Sequence, residues 1–270
     1  MMRSLWTAAT GMIAQQTNLD TIANNLSNIN STGYKTEAVN FKSLIYQTLQ
    51  TKSYDSTGEP KPVGAQVGLG VRPAAIATDF TQGSLIASNG AFDYAIQGEG
   101  FFMVKLSDGS TGYTRNGNFY VAVTDGGMAL TDSDGNAVLD SAGNEIVFNI
   151  ENMEAFKLST DEYGNFLYKD QNGNPQPIGI QMGLAYFPNP SGLDRVSDTM
   201  MKESLASGAV TVYTAGQLNS KIVPGRLEGS NVQAADEMVN MIVAQRAYEM
   251  NSKAIKASDE MLQQANNLRG

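Results

Sequence analysis

The sequence predicts an α+β protein, with an N-terminal and a C-terminal helix that pair as a coiled coil around a central antiparallel β domain. Three observations predict it. Apolar residues recur every seven positions near both ends of the chain, the spacing of a helix-packing seam. Asx-Gly pairs punctuate the middle between short runs of β-forming residues, which reads as a series of hairpins. The composition, 41% hydrophobic and 17% charged over 270 residues, is that of a folded chain rather than a disordered one.

The N-terminal helix is expected to run from Leu5 to about Asn30. Leu5, Met12, Leu19 and Leu26 recur every seven residues, and Ala8, Ile22 and Ile29 fall three residues after members of that series. Gly11 is the weak helix former inside it. Ser31-Thr32-Gly33 ends the pattern, with Gly33 a candidate left-handed cap. Asn18, Asn24, Asn25, Asn28 and Asn30 crowd the other face. Amides there suit hydrogen-bonded packing, where desolvated charge would be costly. Residues 50–73 carry turn formers and no apolar period, and read as an extended segment or a long loop.

The β region shows Asp108-Gly109, Asn116-Gly117, Asp125-Gly126, Asp134-Gly135 and Asn172-Gly173. Between them lie Phe101-Phe102-Met103-Val104, Phe119-Tyr120-Val121-Ala122-Val123 and Ile146-Val147-Phe148-Asn149-Ile150, with a further strand at Ala209 to Tyr213. The last helix can begin at Ser230 or Asn231, both good N-cap types. Asp236 and Glu237 sit near its positive end. Its seam is Met241, Tyr248, Ile255 and Leu262, while Gln245, Ser252 and Asp259 make the companion positions polar. The expected division is 1–35 N-terminal helix, 36–91 extended linker, 92–215 β domain, 216–229 return linker and 230–270 C-terminal helix.

Leu5, Met12, Leu19, Ile22, Asn24, Asn25, Leu26 and Ile29 on the first helix, with Met241, Tyr248, Ile255 and Leu262 on the last, form the candidate assembly interface. Trp6 and Tyr248 read as packing aromatics. A single helix is marginal in water, and its apolar stripe contributes only when covered. The plain arrangement is a two-helix hairpin packed on the domain. The sharper one is a polymerising element that stays frayed until assembly, where a contact that does not close makes a filament.

Charge and composition exclude several functions. A net charge of −9 and a sequence pI of about 4.6 make nucleic acid and anionic membrane poor partners. No apolar run reaches the roughly 20 residues of a membrane span, so no membrane insertion is expected. The N-terminus has no continuous apolar h-region and reads as retained. With no Cys and no His, disulfides, usual zinc sites and His-dependent catalysis are out of reach. Asp132, Asp134 and Asn136 resemble the start of a calcium loop, but Ala137 stands where that loop needs Gly. No pair of carboxylates stands out for wall-glycan hydrolysis. No catalytic residue, cofactor or metal is expected.

The segment Ala23-Asn24-Asn25-Leu26-Ser27-Asn28-Ile29-Asn30-Ser31-Thr32-Gly33-Tyr34-Lys35 closely resembles the N-terminal signature of flagellar rod and hook proteins. Leu227-Glu228-Gly229-Ser230-Asn231-Val232, followed by Ala244 to Lys253, resembles their C-terminal signature. Ile96 to Phe102 and Tyr113 to Phe119 look like the family's central β domain. Arg3-Ser4-Leu5-Trp6, Tyr46 to Leu49 and Val67 to Pro73 look most like members of the distal rod. The likeness weakens over about 120–180, where Val121 to Met128 replaces a short turn.

The resemblance implies a structural subunit, exported by the flagellar type III apparatus without cleavage and stacked helically into a hollow tube, the torque-carrying drive shaft. Its implied neighbours are copies of itself, proximal rod proteins, the hook protein and any outer rings. The alternative is a proximal rod or hook-type axial protein. About residues 46–70, with Pro60 and Pro62, resemble a stiffening insertion that hook proteins lack.

Overall fold

The computed structural model describes residues 2–50, 65–124, 127–148, 158–169, 174–214 and 220–268. Two compact units emerge. The first comprises Met1–Ser27, Glu37–Thr78 and Gln233–Gly270, the second Asn28–Thr36 and Asp79–Val232.

The first unit holds the helices α1 (Met2–Ser27) and α2 (Ala234–Asn267). They pack against each other and run antiparallel: Ser4 Oγ meets Ser258 Oγ at 3.2 Å, and Asn25 Nδ2 meets Glu237 Oε2 at 3.4 Å. α1 is shorter than its apolar pattern. It ends at Ser27, so Ile29 and Asn30 lie in turns beyond it. Gly33 does adopt a left-handed φ of 71°, six residues past the helix end rather than as its cap. α2 begins later than expected, with Gln233 as N-cap, because Asn231 is engaged in the second unit.

The same unit corrects the reading of the linker. Strands β1 (Glu37–Ser43), β2 (Tyr46–Gln50), β3 (Ala65–Gly68) and β4 (Val71–Thr78) make a nested antiparallel ribbon, β1 on β4 and β2 on β3. An extended segment with no apolar period still forms strands when its partner is its own return path. Pro60 and Pro62 lie outside the described residues.

The second unit carries β5 (Leu85–Ala87), β6 (Tyr94–Gln97), β7 (Phe101–Lys105), β8 (Thr111–Thr114), β9 (Tyr120–Thr124), β10 (Gly127–Thr131), β11 (Ala137–Val138) and β12 (Val147–Phe148). It continues with β13 (Leu158–Thr160), β14 (Asn165–Lys169), β15 (Pro175–Gln181), β16 (Gly183–Tyr186), β17 (Asp194–Arg195), β18 (Met200–Lys202), β19 (Thr211–Thr214), β20 (Lys221–Pro224) and β21 (Arg226–Glu228). Every described pairing is antiparallel. The main sheet is centred on β7, which touches β8, β11 and β16.

β7 shows why its residues are apolar on both faces. Phe102 and Val104 enter a core with Tyr94, Ile96, Phe119, Leu130 and Leu184. Phe101 and Met103 enter another with Tyr113, Leu139, Phe187 and Met201. A strand buried on both sides loses the alternation of an exposed one. Pro175 and Pro177 lie on β15, which among the described strands pairs with β14 alone, an edge position that tolerates proline.

The hairpin turns repeat one device. Asp132 Oδ1 accepts from the N–H groups of Asp134 (2.9 Å) and Asn136 (2.8 Å), and Asn136 Nδ2 donates back to Asp132 Oδ2 (2.9 Å). Asp161 holds Tyr163 and Asn165 in the same way, and Asp140 holds Ala142 and Asn144. The carboxylate of Asp132 is thus engaged by its own turn rather than set out for a cation.

Between β19 and β21 the expected return linker is, in its described part, strand: β20 pairs with β6 and β21 with β5.

Candidate assembly site

The helix pair places the expected interface residues unevenly. Ile22 and Asn25 are buried, while Leu5, Met12, Leu19, Asn24 and Leu26 are partly buried. On α2, Met241, Ile255 and Leu262 are partly buried. Tyr248 is 39% exposed and Trp6 is 67% exposed, so within one chain neither is the packing residue expected. Ile29, in the turn past α1, is not on the helix seam.

Besides Ile22 and Asn25, the deepest positions of the pair are small or polar residues two to four places from the large apolar series. Ala8, Ala14 and Thr21 on α1, and Glu237, Ala244 and Ser258 on α2, are buried. A Cβ on Gly11 would come within 2.8 Å of Asn251 Nδ2. Gly11 therefore lets the two backbones approach, which is the packing reason for a residue that costs a helix about 1 kcal/mol. Larger side chains flank this line of small and amide residues.

Asn25 ties three segments together. Its Oδ1 accepts the Glu37 N–H at 3.0 Å, and its Nδ2 donates to the Glu37 carbonyl at 2.8 Å and to Glu237 Oε2 at 3.4 Å. One amide thereby fixes the end of α1, the start of β1 and the first turn of α2.

α2 has a second apolar face that the sequence reading missed. Val239, Val243, Met250, Met261 and Leu268 are spaced by four, seven, eleven and seven residues, and all are exposed. By the 3.6-residue turn they line one flank of the helix, about 80–120° round from Ala244 and Ser258. The signal was present in the sequence as a second helical period. On α1, Trp6 and Ile13 are likewise exposed, seven residues apart.

In the second unit the quoted signature motifs meet. Lys35 and Glu228 are fully buried and paired, with Nζ 2.7 Å from Oε1. Lys35 Nζ also donates to the Thr81 carbonyl at 2.7 Å. Arg115 Nη1 donates to Glu228 Oε2 at 3.2 Å, and its Nη2 to the Gly98 carbonyl at 2.8 Å. Its guanidinium lies 5.4 Å from the Phe101 ring centre. Burial pushes the Lys35 ammonium and the Arg115 guanidinium below their ordinary pKa values, with Glu228 opposing the shift in both.

Glu228 accepts a further bond from the Gly83 N–H at 3.0 Å, and its carbonyl takes the Gly33 N–H at 2.8 Å. The Asn231 Oδ1 accepts from the Thr36 N–H and hydroxyl, at 2.8 and 2.7 Å, while its Nδ2 donates to the Asp79 and Thr81 carbonyls. Gly33 has no alternative: a Cβ there would sit 2.4 Å from the Asn116 nitrogen.

Charge divides between the units. The first carries nine basic and nine acidic side chains, and the second nine basic and eighteen acidic. The whole net charge of −9 thus belongs to the β unit. Among the described residues no group of three metal-ligating side chains converges, and no helix is long and apolar enough to cross a membrane.

One unit has two helices with apolar residues left exposed, and the other is a β unit closed by a buried ion cluster, features of a structural building block. The chain matches three family descriptions in order: "Flagella basal body rod protein" over 5–35, "Flagellar hook protein FlgE/F/G D1 domain" over 95–168 and "Flagellar basal body rod FlgEFG protein C-terminal" over 223–268. It is 43% identical to the flagellar basal-body rod protein FlgG of Borreliella burgdorferi, over 100% of this chain and 99% of that one. The FlgG protein of Buchnera aphidicola (subsp. Baizongia pistaciae) is 39% identical over 97% and 98%, and that of Caulobacter vibrioides 38% over 99% and 100%. The chain belongs to the flagellar basal-body rod and hook protein family.

Proposed function

We propose that the chain is the subunit of the distal rod, stacking helically into a hollow shaft that transmits torque to the hook. The observation that carries this is the second stripe on α2, Val239 to Leu268, exposed along the helix. A soluble monomer rarely keeps an apolar stripe of this length uncovered, and a heterologous contact between copies covers it while leaving the next copy's stripe to be filled. The interface then comprises the expected residues on both helices, of which Leu19, Ile22 and Ile255 also brace the hairpin within one chain.

The similarity to FlgG proteins along the whole chain favours the distal rod over a proximal rod or hook-type subunit. The paired strands β2 and β3 lie in the described part of the segment of about 46–70 assigned to stiffening. On this reading the neighbours are proximal rod proteins, the hook protein and outer ring proteins where present. The chain reaches them through the flagellar type III export apparatus without a cleaved signal, and acts as scaffold rather than catalyst. Immunogold labelling of isolated hook–basal bodies with antibody to the β unit tests it. Label on the shaft just below the hook is expected. Label along the hook, or only near the inner membrane, moves the subunit to the sibling reading.

A further inference from the structure

The loop 28–36 and the arm 220–232 depend on each other unequally. The arm has its own anchors: Ser220 Oγ donates to the Glu99 carbonyl, Ile222 is fully buried in the core, and the Gly229 N–H donates to the Ser84 carbonyl. β20 and β21 are each paired within the β unit. The carboxylate of Glu228 would remain neutralised by Arg115 if Lys35 were absent.

The loop also has ties outside the arm: Thr32 Oγ1 donates to Asn116 Oδ1, Lys35 reaches the Thr81 carbonyl, the Asp79 N–H donates to the Thr36 carbonyl, and Arg195 reaches the Lys35 carbonyl with its guanidinium over the buried Tyr34 ring. Its one buried charge, however, depends on the arm. Its Gly33 N–H, its Thr36 N–H and the charge of Lys35 are all satisfied by Glu228 and Asn231. Without the arm, the Lys35 ammonium would be buried beside the Arg115 guanidinium with no Glu228 carboxylate to offset either cation, an arrangement proteins do not sustain.

We infer that residues 220–232 are a latch for the N-terminal loop: the arm docks first through Arg115, and only then can Lys35 and the segment 28–36 be buried. The N-terminal segment then stays unsecured until residues 220–232 are in place.

Amide hydrogen exchange on the full-length protein tests the order. In Lys35→Met, the Gly33 and Thr36 amides should exchange about 100-fold faster, while Ile222 and Gly229 keep their protection. In Glu228→Gln, the loop amides and Gly229 should all accelerate, with Phe102 and Val104 on β7 unchanged. Asn231→Ala touches Thr36 but not Gly33, so acceleration at both supports a shared latch. Equal release of arm and loop by Lys35→Met would overturn the ordering. Acceleration confined to Thr36 in Asn231→Ala would overturn the latch itself, and this variant decides the matter if Glu228→Gln unfolds the β unit as a whole. The readout concerns the isolated chain, so its failure leaves the rod reading standing, and absence of the chain from rods leaves the latch standing.

Discussion

Asn25→Asp is a nearly isosteric change that reverses the polarity of one atom at the junction of α1, β1 and α2. The side chain is 1% exposed. Its Nδ2 faces two acceptors, the Glu37 carbonyl at 2.8 Å and Glu237 Oε2 at 3.4 Å. An aspartate there places a carboxylate oxygen against another carboxylate. At 3.4 Å and an effective dielectric near 20 the repulsion is about 5 kcal/mol, and two donated hydrogen bonds, worth about 1 kcal/mol each, are lost as well. Protonation of one acid limits the total, so the expected destabilisation at neutral pH is about 3–5 kcal/mol. The proton-binding fold raises the pKa of the new acid. The penalty is therefore full above the raised folded pKa and disappears as pH falls towards the ordinary carboxylate value near 4. Asn25→Ala removes the same hydrogen bonds without the charge, and should cost about 2–3 kcal/mol with little pH dependence. Urea unfolding followed by helical circular dichroism, at pH 4.5 and 7.5, measures both. Adding Glu237→Gln to Asn25→Asp should recover most of the difference. A smaller loss for Asn25→Asp than for Asn25→Ala at pH 7.5, or no coupling to Glu237→Gln, would refute the reasoning.

Gly33→Ala should destabilise the β unit by about 2–4 kcal/mol in a thermal or urea melt, since it combines a left-handed φ with a Cβ driven into the Asn116 backbone. Burial pushes the Tyr94 phenol up to about 12. Its neutral form is thus favoured in the fold, and up to about 3 kcal/mol of stability should be lost as pH rises from about 10 to 12. Tyr94→Phe should flatten that alkaline limb. Leu19→Asp and Ile255→Asp should leave the β unit folded by near-ultraviolet circular dichroism and yet give no rods in flagellated cells; rods of normal length from either variant would detach the helix seam from assembly. Val243→Lys, on the exposed face of α2, should leave the monomer melt unchanged within about 0.5 kcal/mol and still block rod formation, seen by electron microscopy of basal bodies.

The sequence by itself determined the periodic parts. Seven-residue stripes at both ends became α1 and α2, because helix formation and the apolar period are local properties read over two or three turns. Two of the Asx-Gly pairs, Asp108-Gly109 and Asp134-Gly135, marked hairpins for the same reason, since Asp108 and Asp132 each close their own turn within five residues; Asn116-Gly117 instead joins strands that do not pair, and the turns held by Asp140 and Asp161 carry no Asx-Gly pair. The long motifs around Asn25, Lys35 and Glu228 identified the family, although nothing local explained why those residues were needed.

Tertiary structure decided the rest. The ribbon of β1–β4 depends on return strands about 15 to 41 residues away, so no local period announced it. Ala8 and Ile22 lay on the expected stripe. The close approach at Gly11 and the burial of Ala14, Ala244 and Ser258 between the partly buried leucines did not follow from it, because the distance between two backbones is set by their smallest facing residues. Lys35 and Glu228 stand 193 positions apart in the chain. A lysine and a glutamate read separately are solvated charges. Only when folding removes water from both does their pairing become obligatory, and the two ends of the chain are then held by one buried ion pair.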